Sequence, residues 1–86
     1  MTYQVRLENA AERDLEHVPR EVLRRIDAKL VALGTDPRPR CVTKLQGREG
    51  AGWRIRVGDY RILYTIDDEA GVVFVYRIGP RGSVFK

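Results

Sequence analysis

The residues in this 86-residue chain that invite a chemical reading are arginines. Arg54 and Arg56 alternate with Trp53, Ile55 and Val57, and the runs Tyr60 to Ile66 and Val72 to Ile78 carry Arg61 and Arg77 in the same alternating way. A period of two marks strands with one apolar face. Gly58-Asp59 is a two-residue hairpin connection. It is expected to set Val57 opposite Tyr60, Arg56 opposite Arg61, Ile55 opposite Ile62 and Trp53 opposite Tyr64. If Ile66 pairs with Val72 across the next loop, Tyr64 meets Phe74, Ile62 meets Tyr76 and Arg61 meets Arg77. Arg56, Arg61 and Arg77 then stand abreast, with Arg54 one pleat along and Arg81 just beyond the last strand. Like charges opposed across strands cost about 0.2–1 kcal/mol per pair, so folding alone does not favour such a row. A solvated polar face accounts for any one of these arginines. The aligned set is read as an anion site, because guanidinium forks match a phosphate bidentately and can stabilise charge developing on it.

The charge distribution agrees. The net charge is +4, and residues 1–39 hold seven basic and seven acidic side chains. The excess therefore lies in residues 40–86, where Arg40, Lys44, Arg48, Arg54, Arg56, Arg61, Arg77, Arg81 and Lys86 face Glu49, Asp59, Asp67, Asp68 and Glu69. A basic surface on a small domain points to a polyanion. Cys41 is the only cysteine, which excludes an internal disulfide framework or a multi-Cys zinc site and fits a reducing cytoplasm. No stretch approaches the roughly 18 apolar residues of a membrane span, and the amino-terminal segment lacks a signal-peptide pattern. The chain reads as one domain, residues 1–86, with no membrane association, no metal and no cofactor.

The other candidates have plainer readings. His17 is a lone surface histidine, and Asp67-Asp68-Glu69 is a solvated turn rather than a metal site. Gly47, Gly50 and Gly52 form a connector without the order of a phosphate-binding loop.

The elements that would position the arginines follow from periodicity. Tyr3, Val5 and Leu7 alternate with polar residues, marking a strand. Asn9 is a candidate N-cap for a helix from Ala10 to Val18 with Ala11, Leu15 and Val18 on one face. Pro19 suits the first turn of a second helix, whose stripe is Val22, Ile26, Leu30 and Leu33 and whose stop is Gly34. Thr35 to Pro39 is a loop, and a short strand is expected within Cys41 to Leu45. The expected architecture is α+β in the order β-α-α-β-β-β, two layers, with a helical hairpin on one face of an antiparallel sheet. The direction of the first strand is left open by alternation alone.

These features carry a resemblance. The element order, the run Lys44 to Gly47, the segment WRIRVGDYRILY from Trp53 to Tyr64 and the segment VVFVYRIGPRGSVF from Val72 to Phe85 closely resemble the RelE branch of the RelE/ParE toxin superfamily. The resemblance spans nearly the whole chain. It implies the toxin of a type II toxin-antitoxin pair: a ribosome-dependent endoribonuclease that cuts mRNA, is neutralised by a cognate antitoxin, and reaches operator DNA only through the antitoxin complex. It further implies that Arg54, Arg56, Arg61 and Arg81 are catalytic, Arg61 at the scissile phosphate. Arg54 and Arg56 fall where relatives often carry lysine, Phe85 where they often carry tyrosine, and Pro80 where many carry histidine. Lys44, Arg77, Phe85 and Lys86 complete the expected RNA-binding set, with Phe85 able to stack on a base. Arginine is a poor general acid or base at a pKa above about 12. Lys44 and Lys86 are therefore the candidates for proton transfer. Two alternatives stand beside this reading: a ParE-like gyrase inhibitor, and a cleavage-impaired RelE-like protein that binds RNA or regulates its operon.

Overall fold

The computed structural model describes residues 2–40, 42–45 and 52–80. The expected site residues Arg81, Phe85 and Lys86, together with Cys41, Gly47 and Gly50, lie outside them. The chain forms β1 (Gln4–Leu7), α1 (Asn9–Leu15), α2 (Arg20–Thr35), β2 (Thr43–Lys44), β3 (Trp53–Val57), β4 (Tyr60–Asp67) and β5 (Val72–Pro80). The strands make a five-stranded sheet in the order β1-β5-β4-β3-β2. The meander β2 to β5 is antiparallel, whereas β1 runs parallel to β5, from Gln4 beside Val72 to Leu7 beside Val75. The sheet is therefore mixed, and β1 lies at its edge beside the last strand.

Both helices cover one face. Ala11, Ile26, Leu30 and Leu33 pack on Ile55, Val57, Ile62, Tyr64, Val73, Val75 and Ile78 in one apolar core. Complete burial of one such aliphatic side chain is worth about 1.5–3 kcal/mol. The seven residues of α1 are too few for a helix stable by itself. It is held by the buried Ala11 and by its neighbours on β5, the Glu8 N–H donating to the Val75 carbonyl at 2.8 Å.

Helix boundaries differ from expectation in four places, the first being that α1 ends at Leu15 rather than Val18. Glu8, not Asn9, is the N-cap of α1, and it makes no side-chain capping bond. Pro19 is the extended N-cap of α2, where its carbonyl receives the Leu23 N–H at 2.8 Å and its missing N–H costs nothing. Gly34 does not end α2, which continues to Thr35. The glycine serves close approach instead: its carbonyl accepts the Tyr3 N–H at 2.6 Å, and a Cβ there would stand 3.1 Å from the Tyr3 carbonyl oxygen.

The β3–β4 register is the expected one, from Trp53 beside Tyr64 to Val57 beside Tyr60. The β4–β5 register is not. Asp67, rather than Ile66, pairs with Val72, because Asp67 closes the turn itself: its carboxylate accepts the Ala70 N–H at 3.0 Å and its carbonyl the Gly71 N–H at 2.9 Å. Farther along, Tyr64 pairs with Val75 and Leu63 with Arg77, leaving Tyr76 as the extra residue of a β-bulge. The bulge resets the alternation, so Val75 and Ile78 both enter the main core. Tyr76 instead joins Leu45 and Leu63 in a second apolar cluster.

Candidate functional site

The β3–β4 hairpin carries the arginines. Gly58 has a φ of 60° and Asp59 does not share that conformation. This is the pattern of a hairpin turn that needs positive φ only at its first central residue. The tight turn fixes Arg56 directly opposite Arg61. Arg56 is exposed, whereas Arg61, only 8% exposed, is the one charged side chain buried among the described residues. Arg56, Gly58, Asp59 and Arg61 line a small polar cavity of about 60 Å³. Arg54, half-buried, sits one pleat along, opposite Leu63 and beside Thr43. Two cationic forks set across a hairpin beside one cavity are an arrangement that can bind an anion bidentately.

Arg77 does not join this row. The bulge places it opposite Leu63, with Gly79 opposite Arg61. Its guanidinium Nε donates to the Asp14 carboxylate of α1 at 2.9 Å, and the same carboxylate oxygen accepts the Ile78 N–H at 2.8 Å. Asp14 thus occupies the flank of β5 beyond the end of β1, taking a backbone donor that a neighbouring strand would otherwise satisfy. Sequence spacing gave no sign of Asp14, which lies 63 residues from Arg77.

Lys44 is also placed elsewhere. It pairs with Trp53, and cross-strand partners share a face, so it stands on the side of Trp53 rather than of Arg54 and Arg56. Its Nζ lies 5.7 Å from the Trp53 ring centroid, while the Arg38 guanidinium lies 5.5 Å from the same ring. Arg38 in turn meets Asp68 at 2.8 Å, and the Tyr3 hydroxyl donates to the Asp68 carboxylate at 2.6 Å. Arg38, and then the Tyr3 hydroxyl, hold the Asp68 carboxyl below its ordinary value, while the Asp68 carboxylate raises the Tyr3 pKa. This cluster, with the Tyr64 hydroxyl donating to the Pro37 carbonyl at 2.8 Å, pins the connection after α2 to three parts of the sheet. It is structural, and it leaves Lys44 apart from the arginines.

His17 is exposed and lines a cavity of about 200 Å³ with Asp14, Tyr60, Arg77 and Pro80, separate from the one between Arg56 and Arg61. Among the described residues, no group of three or more His, Cys, Asp or Glu side chains is placed to hold a metal ion. Among the same residues, no helix is long and apolar enough to cross a membrane. Tyr76 has a raised pKa, first through burial and then through the charge of Glu8.

Known proteins share both the sequence and this fold. A family model described as the ParE toxin of the type II toxin-antitoxin system, parDE, matches residues 5–85. The toxin RelG of Mycobacterium tuberculosis is 38% identical over 88 residues, spanning 100% of this chain and 99% of RelG. The structure superposes on the RelBE2 toxin-antitoxin complex of the same organism with a TM-score of 0.84 at 32% identity, covering 94% of this chain and 93% of that one. For the archaeal RelE-RelB complex of Pyrococcus horikoshii the TM-score is 0.81 at 31% identity, covering 95% and 98% of the two chains. With a family match over nearly its full length, and relatives of the same fold that include RelE toxins in complex with RelB, the chain belongs to the RelE/ParE superfamily as a RelE-like toxin of a type II toxin-antitoxin system.

Proposed function

We propose that this toxin is a ribosome-dependent endoribonuclease that cleaves mRNA. The observation that carries the reading is the Arg56–Arg61 pair across the hairpin, with Arg61 buried beside a cavity and Arg56 open to solvent. In the proposed reaction the ribose 2′-oxygen attacks the adjacent phosphorus and the bond to the 5′-oxygen breaks. The products are a 2′,3′-cyclic phosphate and a free 5′-hydroxyl. One proton leaves the 2′-hydroxyl and one reaches the departing oxygen. Arg61 and Arg56 stabilise the charge on the phosphoryl oxygens, and Arg54 and Arg81 complete the catalytic set. Phe85 and Lys86 hold flanking RNA by stacking and charge. The position of Lys44 against Trp53 argues for a supporting role in the β2–β3 edge, and that of Arg77 against Asp14 for a supporting role in β5. Proton transfer then falls to groups other than Lys44, Lys86 among them, or to the ribosome itself.

The partners in this reading are a cognate antitoxin, the ribosome with its mRNA, and operator DNA through the antitoxin complex, all in the cytoplasm. Primer extension on mRNA from cells expressing the chain is the test. New 5′ ends within translated codons are expected, and their absence while translation stops would remove the nuclease assignment. The match to a ParE family model supports a second reading, inhibition of gyrase. Stalled DNA synthesis with translation continuing would favour it. Growth arrest with neither new 5′ ends nor a replication block would favour a cleavage-impaired RNA-binding protein.

A further inference from the structure

The hairpin tip is approached by a cation from the helical layer as well. A Cβ built on Gly58 would stand 3.2 Å from Nη1, 3.7 Å from Cζ and 3.7 Å from Nη2 of Arg25, so the guanidinium of this α2 residue lies against the bare Cα of the turn. Gly58 also lines the cavity between Arg56 and Arg61. One glycine therefore stands between Arg25 and the cavity of Arg56 and Arg61, and a Cβ at 58 would press on the guanidinium. Arg25 is exposed and, among the described residues, makes no ion pair with a carboxylate. Glu21, one turn before it, does not bind it, although helical spacing would permit that. Among the described residues Asp59 is the only carboxylate lining the neighbouring cavity, and Arg25 brings a third arginine to its rim.

We infer that Arg25 is a further RNA-binding residue: it takes a second backbone phosphate, next to the one held by Arg56 and Arg61, so that the bound strand crosses the hairpin tip from the open face of the sheet onto α2. The inference rests on the phosphate-binding reading of Arg56 and Arg61 given above. The ligand is a single-stranded RNA backbone, and the contact is one of charge and fork geometry without base preference.

The test measures binding of a single-stranded 2′-O-methyl RNA oligonucleotide, which has the phosphates but no attacking hydroxyl, to the full chain at several salt concentrations. The unsubstituted protein is expected to bind with a negative slope of log affinity against log salt. Arg25→Ala is expected to weaken binding about tenfold and to reduce the magnitude of that slope by roughly 0.7, the value for one phosphate on a single strand. Arg25→Lys should restore the slope and part of the affinity, and the thermal midpoint should be unchanged in both variants. An Arg25→Ala slope equal to that of the unsubstituted protein, or a lowered midpoint with the slope retained, overturns the assignment and makes Arg25 a packing residue of the turn. Absence of salt-dependent binding by the unsubstituted protein would instead remove the phosphate-binding reading on which it rests.

Discussion

Arg61 combines two demands. It is buried within the sheet, and it lines a cavity shared with Arg56. Replacing it by alanine would remove both packing and charge, so the informative variant is Arg61→Lys. Lysine keeps the positive charge on a flexible stem but loses the planar fork. The expected outcome is a thermal midpoint within a few degrees of the unsubstituted protein, with mRNA cleavage lowered about 100-fold, the scale seen when one preorganised donor is removed from a reacting oxyanion. Circular-dichroism melting and primer extension check the two halves. Asp14 is the opposite kind of residue, one that touches no reacting atom but satisfies the Ile78 N–H and engages Arg77. Its ion pair is partly exposed and contributes below about 1 kcal/mol. An orphaned strand donor costs about 1–3 kcal/mol. Asp14→Ala should therefore lower the midpoint by about 4–8 °C for each kcal/mol lost, while Asp14→Asn, which keeps an oxygen acceptor, should recover most of the difference.

At the scale of elements, the Tyr3–Asp68–Arg38 cluster ties the start of β1 and the connection after α2 to the β4–β5 turn. The Asp68 carboxyl is held below its ordinary value of 3.8 in the folded protein. Its contribution is therefore complete above that value and lost as pH falls through the lower folded value. The midpoint difference between the unsubstituted protein and Asp68→Asn should be constant near neutral pH and vanish in strongly acid buffer, which a melting series across pH would show. How far such elements were legible in the sequence depended on what enforced them. The β3–β4 register was readable because Gly58-Asp59 admits one tight connection, so Arg56 and Arg61 could be set opposite each other from spacing alone. The β4–β5 register was not, because the Asp67 side chain shortened the turn and Tyr76 entered as a bulge. Neither event alters the apolar and polar order of residues 72–78. The shifted turn carried Tyr76 out of the main core, and turn and bulge together removed Arg77 from the row. The face that Lys44 takes was not legible for a simpler reason: alternation across two residues of β2 says nothing about it until Trp53 is known to be its partner.

For the whole molecule, the proposed RNA-binding surface is assembled at one end of the sheet, where a two-residue turn, two cross-strand arginines and an arginine from α2 meet. The covering helices form the other layer, and β1 closes the far edge. That closure has a consequence in time. The residue beside Gln4 is Val72, so β1 cannot find its neighbour until some 68 residues later in synthesis. Contacts between positions so distant in sequence delay folding, because a long loop must be closed before any reward is gained. The edge of β1 and β5 thus forms only once residues 72–80 have been made. A nascent chain stalled before residue 72 should be digested readily by protease, and one long enough to free residues 72–80 from the exit tunnel should become resistant. On this view the sheet closes late, and a chain that lacks residues 72–80 has no folded toxin domain.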